Sequence, residues 1–182
     1  FYLWAHADYA QQFVDSTSDA NIDFIHISGR SPQKYFIETM GSGSVFFDYN
    51  NDDFQDLYIV NIGPVSDTLE VNTEVTVQRP AANTLYRNNG DGTFDEITEK
   101  AGIMLPHAKS MGVAIADFDE DGWLDLVVTN DTQPNFLLNN LGGRFEEMGL
   151  AAGIGYDEAG RARAGMGVDV ASLQDDGVLT IG

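Results

Sequence analysis

The chain contains no cysteine, which excludes disulfides, thiolate zinc sites and cysteine nucleophiles. Basic residues are scarce as well: 9 Lys and Arg stand against 29 Asp and Glu, giving a formal net charge of -20. Such a surface repels phosphate backbones and anionic lipid headgroups, so neither nucleic acid nor a membrane is an expected partner. No run approaches the roughly 18 apolar residues that span a bilayer. The 3 histidines, His6, His26 and His107, fall in unrelated contexts. Neither a G-x-S-x-G elbow nor a phosphate-binding glycine loop is present. No catalytic residue is assigned, and the chain is not read as an enzyme.

What is present is a core and a repeat. A length of 182 residues with 43% hydrophobic and 11% aromatic content suits one domain able to bury a core. Self-similarity then organises it. GVAIADFDEDGWLDLVVTN (112–130) matches GSVFFDYNNDDFQDLYIVN (43–61) without a gap, and GVDVASLQDDGVLTIG (167–182) is a degenerate third copy. A second element recurs as FVDSTSDANI from Phe13, FDEITEKAGI from Phe94 and FEEMGLAAGI from Phe145. A third, NTLYRNNGDGTF (83–94), returns as NFLLNNLGGRF (135–145) with one residue deleted, and its Asn-Gly, Asp-Gly and Gly-Gly steps are hairpin-turn chemistry.

Short apolar runs such as Leu57-Tyr58-Ile59-Val60, bounded by aspartate and asparagine, predict buried strands rather than helices. One unit reads as strands at Val113–Ala116, Leu124–Thr129, Phe136–Leu138 and Arg144–Met148, a four-stranded meander. Such sheets must stack to bury their faces, which predicts an all-β fold of propeller blades. The units are drawn as 13–93, with an insertion at 62–82, then 94–144, then an incomplete 145–182. Residues 1–12 form an N-terminal segment in which Phe1-Tyr2-Leu3-Trp4 and Ala5-His6-Ala7 resemble a signal-peptide tail without a basic n-region; an ordinary terminus is favoured.

The chemistry-bearing segment is Asp117-Phe118-Asp119-Glu120-Asp121-Gly122-Trp123-Leu124-Asp125, with oxygen donors at positions 1, 3, 5 and 9 and a turn glycine at position 6. The carboxylates of Asp117, Asp119, Asp121 and Asp125 with the Trp123 carbonyl, completed by water, make a set suited to Ca2+. Carboxylates about 4 Å apart repel by roughly 4 kcal/mol per pair at an effective dielectric near 20, so convergence calls for a cation. An EF-hand is excluded because Val128 occupies its twelfth position and strands flank the loop. The loop at 48–56 offers Asp48, Asn50, Asp52 and Asp56 with the Phe54 carbonyl, and Asp53 replaces the glycine. A second Ca2+ is expected there. The loop at 172–180 aligns Ser172, Gln174, Asp176 and Thr180, leaving one carboxylate, so tight calcium is not expected.

These motifs resemble the FG-GAP/VCBS repeats of integrin α-subunit propellers and of many bacterial secreted proteins, in which a D-x-D-x-D-G-x-x-D calcium loop joins two strands. The succession FVDST, YFIETMGSG, the first loop and LYRNNGDGTFDEITEKAGI is similar to the bacterial relatives of cartilage acidic protein, the ASPIC/UnbV-associated group. The resemblance implies calcium ligands at the two sets of positions above and no catalytic residue. It also implies a secreted, periplasmic or cell-surface structural, adhesion or binding module with a protein or glycan partner. Two complete units and a partial one fall short of the four to eight blades of a closed ring. Self-assembly through exposed strand edges, as a filament or larger complex, is therefore a second expectation. The scaffold or accessory domain of a polysaccharide-active enzyme is a third. Trp4, Tyr49, Trp123 and Tyr156 could stack on sugars but are read as packing residues. Asn130-Asp131-Thr132 fits a glycosylation sequon and carries little weight.

Overall fold

Antiparallel sheets of short strands make up the computed structural model, which describes residues 13–29, 33–34, 36–63, 82–105, 109–172 and 179–182. The N-terminal segment 1–12, most of the insertion and the middle of the third loop lie outside the described residues. The first sheet pairs β1 (Ser44–Phe47), β2 (Asp56–Ile59), β3 (Thr84–Asn88) and β4 (Phe94–Glu96) in sequence order. The second repeats the pattern with β5 (Ser110–Ala116), β6 (Asp125–Asn130), β7 (Phe136–Asn140) and β8 (Phe145–Glu147). A third pair, β9 (Val170–Ser172) with β10 (Leu179–Ile181), follows. A 3-10 turn at Phe36–Thr39 precedes the first sheet.

The fold is thus all-β and bladed, in keeping with an FG-GAP-type β-propeller, and the described residues do not close a ring. β5 begins three residues earlier than the alternation predicts, through a bulge between Ser110 and Gly112. β8 is shorter than predicted because Arg144 belongs to the turn. The sheets are also offset from the repeat units as drawn: Phe94–Glu96 completes the first sheet and Phe145–Glu147 the second.

β2 and β6 lie centrally and are almost wholly buried, as their unbroken apolar runs require. One hydrophobic cluster joins the two sheets: Phe47, Tyr58, Val60 and Leu85 from the first meet Leu126, Val128, Leu138 and Phe145 from the second. Ala101 and Ile103 of the connecting turn sit between them.

The recurrent FDEITEKAGI-type segment forms the same turn three times. Ala20, Ala101 and Ala152 each donate N–H four residues back at 2.8 Å, and Asn21, Gly102 and Gly153 take the left-handed conformation that ends the turn. The Ala20 carbonyl then accepts the Phe94 N–H at 2.9 Å, and the Ala101 carbonyl accepts the Phe145 N–H at 2.8 Å. The first two turns thereby hold the start of the following sheet's outermost strand.

Successive sheets meet along their first strands. Gly43 N–H donates to the Met111 carbonyl at 3.0 Å, and Ser110 N–H donates to the Asn61 carbonyl at 3.1 Å. A buried side-chain relay runs beside them: Asn83 Nδ2 donates to Ser110 Oγ at 2.9 Å, and Ser110 Oγ donates to Asn130 Oδ1 at 2.7 Å. With the Asn61 carbonyl, the relay from Asn83 to Ser110 bridges the two sheets, and it ends on Asn130 within the second. It also buries the sequon, since Asn130 is 0% exposed and its Nδ2 donates to the Pro134 carbonyl. The repeated glycine has an equally direct role. A Cβ at Gly112 would stand 2.7 Å from Thr129 Oγ1 and 3.1 Å from the Gly167 Cα, whereas one at Gly167 would meet nothing within 4 Å. Gly112→Ala is expected to destabilise the chain by about 1–3 kcal/mol through overpacking, and Gly167→Ala by clearly less. Urea denaturation of the two variants side by side checks this.

Candidate metal centre

The two loops are built alike on strand ends in the same register. Phe47 pairs with Asp56 across β1 and β2, and Ala116 pairs with Asp125 across β5 and β6. That register places the ninth loop residue at the head of a buried central strand. Asp56 and Asp125 are both 0% exposed, and each carboxylate is held by two backbone donors. Asp56 Oδ2 accepts from Tyr49 N at 3.0 Å and Oδ1 from Asn88 N at 2.8 Å. Asp125 Oδ2 accepts from Phe118 N at 2.9 Å and Oδ1 from Asn140 N at 2.7 Å.

The first residue of each loop folds the chain over itself. Asp48 accepts from Asp52 N at 3.1 Å and Asp53 N at 2.8 Å, as Asp117 accepts from Asp121 N at 3.1 Å and Gly122 N at 2.9 Å. Two left-handed residues make the turn: Asn51 (φ 54°) with Asp53 (φ 69°), and Glu120 (φ 60°) with Gly122 (φ 91°). Asp53 takes up the turn that glycine makes in the second loop, which aspartate tolerates better than most residues. Phe54 lies over Gly90, where a Cβ would approach its ring to 2.6 Å, and Trp123 lies over Gly142 at 3.6 Å. Aromatic packing at position 7 thus fixes each loop against the β3–β4 or β7–β8 turn.

In the second loop, carboxylate oxygens of Asp117, Asp119 and Asp125 all lie within 4.8 Å of one another. Asp121 stands apart from that group and accepts the Trp123 N–H at 2.8 Å through Oδ1. In the first loop Asp52 plays the same part toward Phe54 N at 3.0 Å and also accepts from Asn50 Nδ2 at 2.8 Å. The Asn50 Oδ1 atom is buried without a hydrogen-bond partner, an orphaned acceptor at a predicted ligand position. Converging oxygens and an orphaned acceptor are the chemistry of a hard-cation site, and the residues present fit calcium. Of the third loop, Ser172 and Thr180 face each other's strands on β9 and β10, while Gln174 and Asp176 lie outside the described residues.

Burial acts on the two strand-head aspartates in the same direction. Burial pushes the Asp56 carboxyl up to about 6, with the charges of Asp52 and Asp48 adding to the shift against the two backbone N–H donors. Burial likewise raises Asp125, with Asp119 and Asp121 contributing. Sequence reasoning missed the asparagines that hold these carboxylates, Asn88 and Asn140. Their only trace is the coincidence of Asn88 with Asn140 when NTLYRNNGDGTF is laid on NFLLNNLGGRF. Tyr49 is buried and stacks on Phe145 with ring centroids 6.4 Å apart, so its role is packing between sheets, as expected. His26 lies near Ser42 Oγ at 3.5 Å and takes no part in the loops.

The model of the FG-GAP-like repeat matches residues 71–128, which include the whole second loop; the chain carries an FG-GAP-like repeat. Human cartilage acidic protein 1 is 46% identical over 55 residues, covering 30% of this chain and 8% of the human protein. Its Xenopus tropicalis counterpart is 41% identical over 64 residues, covering 34% of this chain and 10% of that protein. The match therefore takes in about a tenth of those relatives or less.

A raised carboxyl binds its proton more tightly in the folded than in the unfolded chain. Stability is therefore gained as pH falls through about 6 toward the ordinary carboxylate value of 3.8 and lost as pH rises through the same window. In chelator, the chain is expected to melt at higher temperature at the acid end of this window than above it, and Asp56→Asn is expected to flatten that dependence. Thermal melts across the pH series, wild type against variant, read it directly.

Proposed function

We propose that this chain is a calcium-dependent, non-enzymatic module of an extracellular or cell-surface protein, in which two loops bind one Ca2+ each. The observation that carries the reading is the convergence of Asp117, Asp119 and Asp125 on a strand-loop-strand frame whose bonds to the first and ninth loop residues recur at Asp48 and Asp56. Calcium supplies the positive charge that these buried and clustered carboxylates lack. Asp117, Asp119, Asp121, Asp125 and the Trp123 carbonyl are proposed for one ion, and Asp48, Asn50, Asp52, Asp56 and the Phe54 carbonyl for the other.

An extracellular setting is supported by the FG-GAP-like repeat and by relatives named for cartilage and for acidity, the latter shared by a chain of net charge -20. Among the described residues no helix is long and apolar enough to cross a membrane. We assign the chain a structural, adhesion or binding role toward a protein or glycan, with the cation stiffening the loop end of each sheet. Self-association through sheet edges is the second reading, favoured by β10, whose three residues are all exposed.

Isothermal titration of the chelator-stripped chain with calcium is expected to give two ions per chain, and the Asp117→Asn, Asp119→Asn double variant one. At a free concentration about 100 times the dissociation constant, one site adds roughly 2.7 kcal/mol of stability, visible as a raised melting temperature. A folded chain that takes up no calcium would overturn the proposal.

A further inference from the structure

The two loops are not separate sites on separate sheets. Asn140 ends β7 in the second sheet, and its N–H donates to Asp125 Oδ1 at 2.7 Å. Its Nδ2 crosses to the first loop, donating to the Tyr49 carbonyl at 2.8 Å as well as to the Leu124 carbonyl at 3.1 Å. Its Oδ1 accepts the Gly143 N–H at 2.7 Å. Tyr49 N–H in turn donates to Asp56 Oδ2 at 3.0 Å. An unbroken path of three hydrogen bonds thus runs from the buried aspartate of one loop to that of the other. Asn140 is 0% exposed, so water cannot replace a bond that it loses. A second link joins the loop tips: Asn51 Nδ2 donates to the Gly122 carbonyl at 3.3 Å. Asn51 is one of the left-handed residues of the first loop, and the Gly122 N–H is held by Asp117 Oδ2 at 2.9 Å. Stacking of Tyr49 on Phe145 completes the contact.

We propose that Asn140 and Asn51 are positioning residues that couple the two loops, so that a cation in one raises the affinity of the other. The inference rests on the calcium reading above. The physical basis is shared ordering. Fixing Asp125 fixes the Asn140 backbone, and with it the amide that holds the Tyr49 carbonyl. Tyr49 N–H then presents Asp56 in its bound geometry, so the second ion meets a loop whose ordering is already complete. Linkage makes the effect equal in both directions. The arrangement is specific to this junction, because Asn88, the counterpart of Asn140 in the first sheet, donates its Nδ2 within its own sheet to the Gln55 carbonyl at 2.9 Å.

Calcium titration of the full chain tests it, with Asn51→Gly and Asn140→Ala alongside the wild type. Glycine at position 51 keeps the left-handed backbone and removes only the link to Gly122, so that variant carries the test even if Asn140→Ala fails to fold. Wild type is expected to bind two ions with a Hill coefficient greater than unity and an affinity gain of about 5-fold or more at the second site. Asn51→Gly is expected to keep the stoichiometry and the metal-free melting temperature while lowering the Hill coefficient, which loss of stability alone would not do. Two ions bound independently by wild type would overturn the coupling and leave the calcium reading standing. So would an Asn51→Gly isotherm as steep as the wild-type one. No uptake by the folded wild type would overturn both.

Discussion

A carboxylate buried at the head of a central strand is the constraint on which both sheets turn. Asp56 and Asp125 begin β2 and β6, and each joins its loop to the end of the third strand through two backbone N–H donors. Those bonds stitch three strands at one end of the sheet. They also leave a negative charge in a place where burial alone disfavours it, as the upward shift of both carboxyls shows. The loop that wraps back over that charge adds more acid around it. A sheet end that is geometrically finished but electrostatically unbalanced is suited to a cation.

The opposite end of each sheet is held by neutral groups. There the Asn61 carbonyl and the Asn83 amide reach Ser110 across the junction, Ser110 passes the link on to Asn130 within its own sheet, and glycine lets one first strand lie against the next. Buried polar networks of this kind are tolerable only when each member is partnered, and the junction between the first two sheets meets that demand with side chains from both. The polarity of the blade follows: acidic charge gathers at the loop end, and the buried groups that join the sheets at the other end are uncharged.

Much of this was legible in the sequence because repetition doubled every signal. The ungapped match of 43–61 with 112–130 located β1, β2, β5 and β6 within a few residues, and the nine-residue acidic spacing located the loops. The left-handed turn at Asp53 was legible from its alignment with Gly122. What could not be read lies between repeats. Asn140 reaches Tyr49 across 91 residues of chain, and no periodicity reports such a contact. Glu120 adopts a left-handed conformation with no compositional hint, because glutamate has no intrinsic leaning toward it. The separation of Asp121 from the other three aspartates was hidden for a similar reason: a spacing pattern gives the order of donors, and only the Asx-type bond to Trp123 N shows where one of them is held.

The offset between repeat and sheet has a bearing on how the chain can be divided. Phe94–Glu96, the opening of one sequence repeat, is the outermost strand of the preceding sheet, and the turn that steadies it comes from earlier still, at Ala20. A fragment cut at the sequence boundaries would hold three strands of one blade and a stray strand of another. The natural unit of excision, grafting or shuffling therefore runs from the start of a first strand to the end of the turn after the fourth, and it straddles two sequence repeats.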